Sequence, residues 1–241
     1  MNQIPTKGVL LLGSTSEIGI AILKKLSVAK GTQLILVGRN ANSIALFQDW
    51  PGKVSFLPCD LSKIEQIRDV VSTMMTQYVI DFAVIASAHL PAELLDDDFE
   101  SVHQTFSINS TGLACFLSCL PSMMSKTGGT LVHISSVAAI RPRIKNFTYG
   151  ASKSSMDFFV LGLAAKHKKL GIDIRVIRPG FVHTKMSKDF QVAPFATTPD
   201  SVARDVIEGL KRDRTVIYSP RILRLVMNLL KLLPSSIFSR L

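Results

Sequence analysis

Apolar residues along the chain fall into short, mostly unbroken runs separated by stretches with helical spacing. Val9-Leu10-Leu11-Leu12, Leu34-Ile35-Leu36-Val37, Val54-Ser55-Phe56-Leu57 and Phe82-Ala83-Val84-Ile85 are the first four runs. Leu131-Val132-His133-Ile134, Ile174-Arg175-Val176-Ile177 and Thr215-Val216-Ile217-Tyr218 continue the rhythm. Runs that are apolar throughout, rather than at alternate positions, predict strands covered on both faces, as in parallel sheets. The stretch from Ile18 to Val28 is amphipathic with helical period and predicts the first crossover helix. The fold expected is a single α/β, doubly wound Rossmann-type sheet of about seven parallel strands with helices on both faces. No repeat, Pro/Gly-rich linker or charge block divides residues 1–220, so they read as one domain. Residues 221–241 form a basic, amphipathic C-terminal tail.

The length of 241 residues and a composition 47% hydrophobic and 19% charged exclude a disordered chain. The three cysteines, Cys59, Cys115 and Cys119, are too few and too odd in number for a disulfide framework and point to a reducing compartment. The N-terminal residues have neither the basic start nor the apolar core of a secretory signal. No window has the 18 or so apolar residues of a spanning helix. A cytoplasmic protein is expected, at the inner membrane surface if the tail meets lipid. The net charge of +10 suits an anionic partner. Lys166-His167-Lys168-Lys169 reads as a helix end whose cations complement the macrodipole. It has no set of stacking aromatics beside it, so no nucleic-acid partner is expected. Asp96-Asp97-Asp98 similarly suits a helix start. His89, His103, His133, His167 and His183 show no metal-ligand spacing, and no metal site is expected. His133 reads as a hydrogen-bonded core residue, and His183 as a candidate substrate contact.

Between the first strand and first helix stands Gly13-Ser14-Thr15-Ser16-Glu17-Ile18-Gly19. Glycines there let backbone approach a pyrophosphate, and the hydroxyls add phosphate contacts. Glu17 occupies the place of the middle glycine, and Ser14-x-x-Glu17 fits a capping box. An ordinary strand–helix turn has the same outline. The second strand ends in Val37-Gly38-Arg39-Asn40, with no carboxylate to hold adenosine ribose hydroxyls. Arg39 there favours the 2′-phosphate of NADP(H), or is a solvated loop arginine.

Tyr149 and Lys153 are four residues apart, hence one turn apart on one helix face. A nearby ammonium stabilises phenolate; lowering a phenol from about 10 to about 7 needs roughly 4 kcal/mol. Ser136, at the end of the fifth strand, is placed to hydrogen-bond a substrate carbonyl.

Together these residues resemble the short-chain dehydrogenase/reductase family over about residues 8–190. The resemblance rests on the Gly13–Gly19 turn, Cys59-Asp60-Leu61, Asn109, Ile134-Ser135-Ser136, Tyr149-Gly150-Ala151-Ser152-Lys153 and Arg178-Pro179-Gly180. It implies ketone reduction with Ser136, Tyr149 and Lys153 catalytic, and Asn109 holding a water in a proton relay. It also implies Asp60 and Leu61 beside adenine, Pro179, Gly180, Phe181 and Val182 along nicotinamide, and Thr184 on its carboxamide. Ala86 and Ser87 stand where the family carries Asn-Asn-Ala-Gly, and imply backbone contacts to the cofactor. A homodimer or homotetramer is the assembly expected.

A narrower similarity, in Gly13–Gly19, Arg178–Met186, Ala193-Pro194, Thr197-Thr198-Pro199 and Leu233–Phe238, is to decaprenylphosphoryl-2-keto-β-D-erythro-pentose reductases. That subgroup implies a lipid-linked keto-sugar substrate and NAD(H), against the reading of Arg39. The alternatives are another carbonyl reductase for 3-oxoacyl or small sugar substrates, and a dinucleotide-binding sensor without turnover. In the tail, Arg221, Arg224, Asn228 and Lys231 make one polar stripe among Ile222, Leu225, Val226, Leu229, Leu230, Leu232 and Leu233. Such a helix fits peripheral contact with anionic lipid, or packing on its own domain or a second subunit.

Overall fold

The computed structural model describes residues 7–91, 98–124, 128–212 and 214–234. Asp96, Asp97, residues 235–241 and the N-terminal six residues, all weighed above, lie outside them. The strands are β1 (Gly8–Leu12), β2 (Gln33–Gly38), β3 (Val54–Pro58), β4 (Phe82–Ile85), β5 (Gly129–Ile134), β6 (Ile172–Pro179) and β7 (Val216–Ser219). They form one sheet of seven parallel strands in the order β3-β2-β1-β4-β5-β6-β7.

Alternate strand residues supply two cores. Leu10, Leu12, Ile35, Val37, Ala83, Ile85, Leu131 and Val176 face α2 (Ile64–Gln77), α4 (Leu113–Met123) and α5 (Phe147–His167). Val9, Leu11, Leu34, Leu36, Phe82, Val84, Val132 and Ile177 face α1 (Glu17–Lys25) and α6 (Pro199–Leu210). Burial on both sides is why these strands lack polar alternation.

Helix α1 stops at Lys25, short of Val28, because Leu26 is already extended. Helix α3 (Phe99–Phe106) opens on Asp98, whose carboxylate accepts the Ser101 N–H at 2.7 Å. A π-helical turn, Ser107–Gly112, joins α3 to α4. Gly112 is required in it, since a Cβ there would lie 1.8 Å from the Leu61 carbonyl oxygen.

Helix α7 (Leu223–Leu232) returns to the domain. Leu223 and Met227 are buried against Val137 and Tyr218, while Leu225, Leu229 and Leu232 face outward. Arg141 donates to the Leu230 and Leu233 carbonyls at 2.6 and 2.7 Å, capping its C-terminus. Among the described residues, no helix is long and apolar enough to cross a membrane.

Candidate active site

The sheet order reverses between β1 and β4, and a crevice opens where their carboxyl ends diverge, as in other doubly wound sheets. Gly13, after β1, and Ala86-Ser87, after β4, form its floor. Gly13 has φ +89°, and a Cβ there would lie 2.6 Å from the Ser87 nitrogen, so only glycine fits. The cleft above encloses about 1200 Å³.

Lining it are Gly13, Ser14, Thr15, Ser16, Glu17, Ile18, Arg39, Asp60, Leu61, Ala86 and Ser87 at one end. Ser136, Tyr149, Lys153, Pro179, Gly180, Val182 and Thr184 line the other. Gly19 and Asn109 stand behind the wall. A Cβ on Gly19 would meet Leu11 Cδ1 at 2.6 Å, so its contribution is close packing of α1 on the sheet. His183 is exposed, edge-on to Phe181, and does not line the cleft.

The proposed Ser14/Glu17 capping box does not form. Ser16 is the N-cap residue and its hydroxyl accepts the Gly19 N–H at 3.2 Å. Two features suit an anion: the Glu17 and Ile18 amides, in the first turn, have no intrahelical acceptor, and the buried Ser14 hydroxyl has no partner among the described residues. With the Gly13 floor, these groups fit a dinucleotide pyrophosphate. Arg39 is exposed at the end of β2. Burial opposes ionisation of Asp60, but hydrogen bonds from Ser62 and the charges of Arg39 and Lys63 outweigh it and hold the carboxyl below its ordinary value.

Helix α5 delivers Tyr149 and Lys153 one turn apart, with the Lys153 Nζ 5.8 Å from the Tyr149 ring centroid. Tyr149 hydrogen-bonds Ser136, whose oxygen also accepts the Ala138 N–H at 3.1 Å. Burial pushes the phenol up to about 12, the Ser136 hydrogen bond only partly opposing it. Lys153, 2% exposed, donates to the Ile134 carbonyl at 3.2 Å. Burial brings its amine down to about 8, against the pull of Asp157.

Asn109 is fully buried with its amide already engaged: Oδ1 accepts the His89 N–H at 2.6 Å, and Nδ2 donates to the His89 carbonyl at 2.8 Å and Ser152 at 3.2 Å. It therefore anchors the segment after β4 to the helix bearing Lys153. His133, in β5, is fully buried but has no hydrogen-bond partner at either ring nitrogen among the described residues, contrary to expectation. Burial and the charge of Lys153 hold it down at about 3.

Several contributors escaped the sequence reading. Asp157 continues the ladder one turn past Lys153 and pairs with Arg178 at 2.7 Å, which also donates to the Tyr218 hydroxyl at 3.0 Å. The Tyr149, Lys153, Asp157 spacing of four was a visible signal. Arg143, Ile144, Met186 and Phe190 line the same cleft as Ser136, Tyr149 and Lys153; nothing in their spacing marked them.

A model of the short chain dehydrogenase family matches residues 7–193. An uncharacterised oxidoreductase of Mycobacterium tuberculosis is 29% identical over 252 residues, covering 100% of this chain and 99% of its own. Fatty acyl-CoA reductase of Acinetobacter baylyi is 26% identical over 226 residues, covering 89% of this chain and 76% of its own. In structure, a short chain dehydrogenase from Burkholderia cenocepacia in complex with NADP has a TM-score of 0.74 at 18% identity, with 96% of this chain and 100% of that one covered. Since the family match runs from the start of β1 past Thr184 and takes in most of the sequence, this protein belongs to the short-chain dehydrogenase family, a family of oxidoreductases.

Proposed function

We propose that the protein reduces a ketone to a secondary alcohol with NADP(H), the ketone being the 2-keto group of a polyprenylphosphoryl pentose. The observation that carries the reaction is the convergence of Ser136, Tyr149 and Lys153 in a cleft whose other end is a dinucleotide-type turn. When bound, a reduced nicotinamide supplies the hydride. The chain's own residues manage the oxygen and its proton. Ser136 holds the carbonyl oxygen by hydrogen bond as negative charge develops on it. Tyr149 gives that oxygen its proton; a phenol held near 12 is fully protonated at neutral pH, the form a donor needs. Lys153 stabilises the phenolate left behind and is placed to hold the nicotinamide ribose. Asn109 anchors the segment after β4 to α5, and solvent supplies the proton that restores Tyr149.

Arg39, with no carboxylate at the end of β2, supports NADP(H) over the NAD(H) of the pentose-reductase subgroup, and the Burkholderia cenocepacia relative by fold is complexed with NADP. Arg143 supports a phosphorylated substrate: it lines the far end of the cleft beside apolar Ile144, Met186 and Phe190, a cation next to a greasy mouth. Helix α7 supports delivery from a membrane surface, since its outward Leu225, Leu229 and Leu232 run beside Arg224 and Lys231. An assembly of two or four copies fits Phe158 of α5, which is 85% exposed. A second reading, an acyl thioester substrate, draws on the same apolar mouth and on the fatty acyl-CoA reductase relative.

The test is oxidation of NADPH and NADH with a polyprenylphosphoryl keto-pentose and with a 3-oxoacyl thioester. Tyr149→Phe is expected to lower kcat at least ~10²-fold with unchanged NADPH affinity. Near-normal turnover in that variant refutes the mechanism. Turnover of the thioester alone replaces the substrate.

A further inference from the structure

Glu17 begins α1 and lines the cleft, in the place where the resemblance has glycine. Its carboxylate Oε2 accepts the backbone N–H of Lys185 at 2.6 Å, 168 residues along the chain. Lys185 is the third residue of the segment 183–196, which lies between β6 and α6. The base of that segment is closed by its own strand-like bridge: His183 N–H to Thr197 O and Thr197 N–H to Phe181 O, each 2.9 Å. Its first turn is folded by Ser187, which accepts the Thr184 N–H at 3.0 Å and donates to the Val182 carbonyl. Those bonds shape the segment without saying where it lies. The Glu17 bond does, tying the segment to the turn across the cleft, so that Thr184, Met186 and Phe190 become wall.

We propose that Glu17 is a positioning residue: it straps the 183–196 segment across the dinucleotide cleft through the Lys185 N–H, with a bond that needs no ligand atom. A glycine in that place has no side chain to do this. The dinucleotide part of the proposal rests on the function argued above; the strap itself does not.

The bond can be cut from either side. Glu17→Ala removes the acceptor and Glu17→Gln keeps a neutral one. Lys185→Pro removes the donor N–H and suits its place: Lys185 is the first residue of a helical turn, and Thr184 before it is extended at φ −140°, ψ 168°. Lys185→Ala controls for the lost side chain. Amide hydrogen exchange of residues 186–190 in the protein alone is read first, then the NADPH dissociation constant by nucleotide fluorescence.

Because the bond is accessible to solvent, the effect expected is at the modest end for a charged acceptor. Exchange should be about tenfold faster in Glu17→Ala and Lys185→Pro, and the dissociation constant should rise several-fold in both. Glu17→Gln should stay within about threefold of the native protein, Lys185→Ala should match it, and the double variant should be no worse than either single one. Unchanged exchange in Glu17→Ala, a Glu17→Gln as fast as Glu17→Ala, or additive effects in the double variant overturn the strap. Native protein that binds neither NADPH nor NADH, while its exchange follows the expected pattern, overturns the dinucleotide reading and leaves the strap standing.

Discussion

His133 gives the molecule a specific weakness to acid. The unfolded imidazole titrates near 6.5, whereas burial and the nearby Lys153 charge hold the folded one at about 3. Between those values the unfolded chain binds more protons than the folded one, so stability falls as pH falls through that window. At pH 4.5, two units below the unfolded value, the loss is about 3 kcal/mol, each unit counting for roughly 1.4 kcal/mol. Little of it is already present at pH 7, so nearly all of the loss falls between the two conditions. Other carboxylates and histidines also titrate in this range, so the native protein is compared with His133→Leu and His133→Asn. Urea unfolding followed by circular dichroism at pH 7.0 and 4.5 gives each stability change. The native protein should lose about 2–3 kcal/mol more than either variant. A difference under about 0.5 kcal/mol in both variants would show that His133 takes a proton in the folded state, refuting its reading as a neutral, unpartnered core residue.

Arg39→Asp should move preference from NADPH toward NADH, read as the ratio of kcat/KM for the two; an unchanged ratio removes Arg39 from cofactor selection. Asp157→Ala leaves the half-buried Arg178 without its carboxylate and should destabilise the fold by about 2–3 kcal/mol in urea melts, below the cost of a fully buried unpaired charge. It also takes away the negative charge that supports Lys153, whose amine should then titrate below about 8. Leu229→Glu, on the outward face of α7, should weaken sedimentation with anionic vesicles and leave NADPH affinity intact; undiminished sedimentation counts against α7 as the contact.

The sheet was legible because each strand is covered on both sides, which turns burial into apolar runs that need no partner to be recognised. Ser136, Tyr149 and Lys153 were legible because helix geometry fixes what lies one turn away. The same rule marked Asp157, unused. Interactions that join distant segments through backbone left no such mark. The Asn109 amide clasps the His89 main chain, and Glu17 takes the Lys185 N–H. In both cases the partner atom is present at every residue, so no side-chain pattern announces it. Helix α1 is shorter than its apolar spacing, which continues through Leu26 and Val28 after the backbone has turned extended at Leu26. Helical spacing reports that Lys153 is near Tyr149, but not the burial that opposes ionisation of the phenol.

Arg141 has the last consequence. Its guanidinium grips the final carbonyls of α7, and Val137, next to Ser136, packs under the same helix. The seat of the C-terminal helix and the turn that carries Ser136 therefore share the same side-chain contacts.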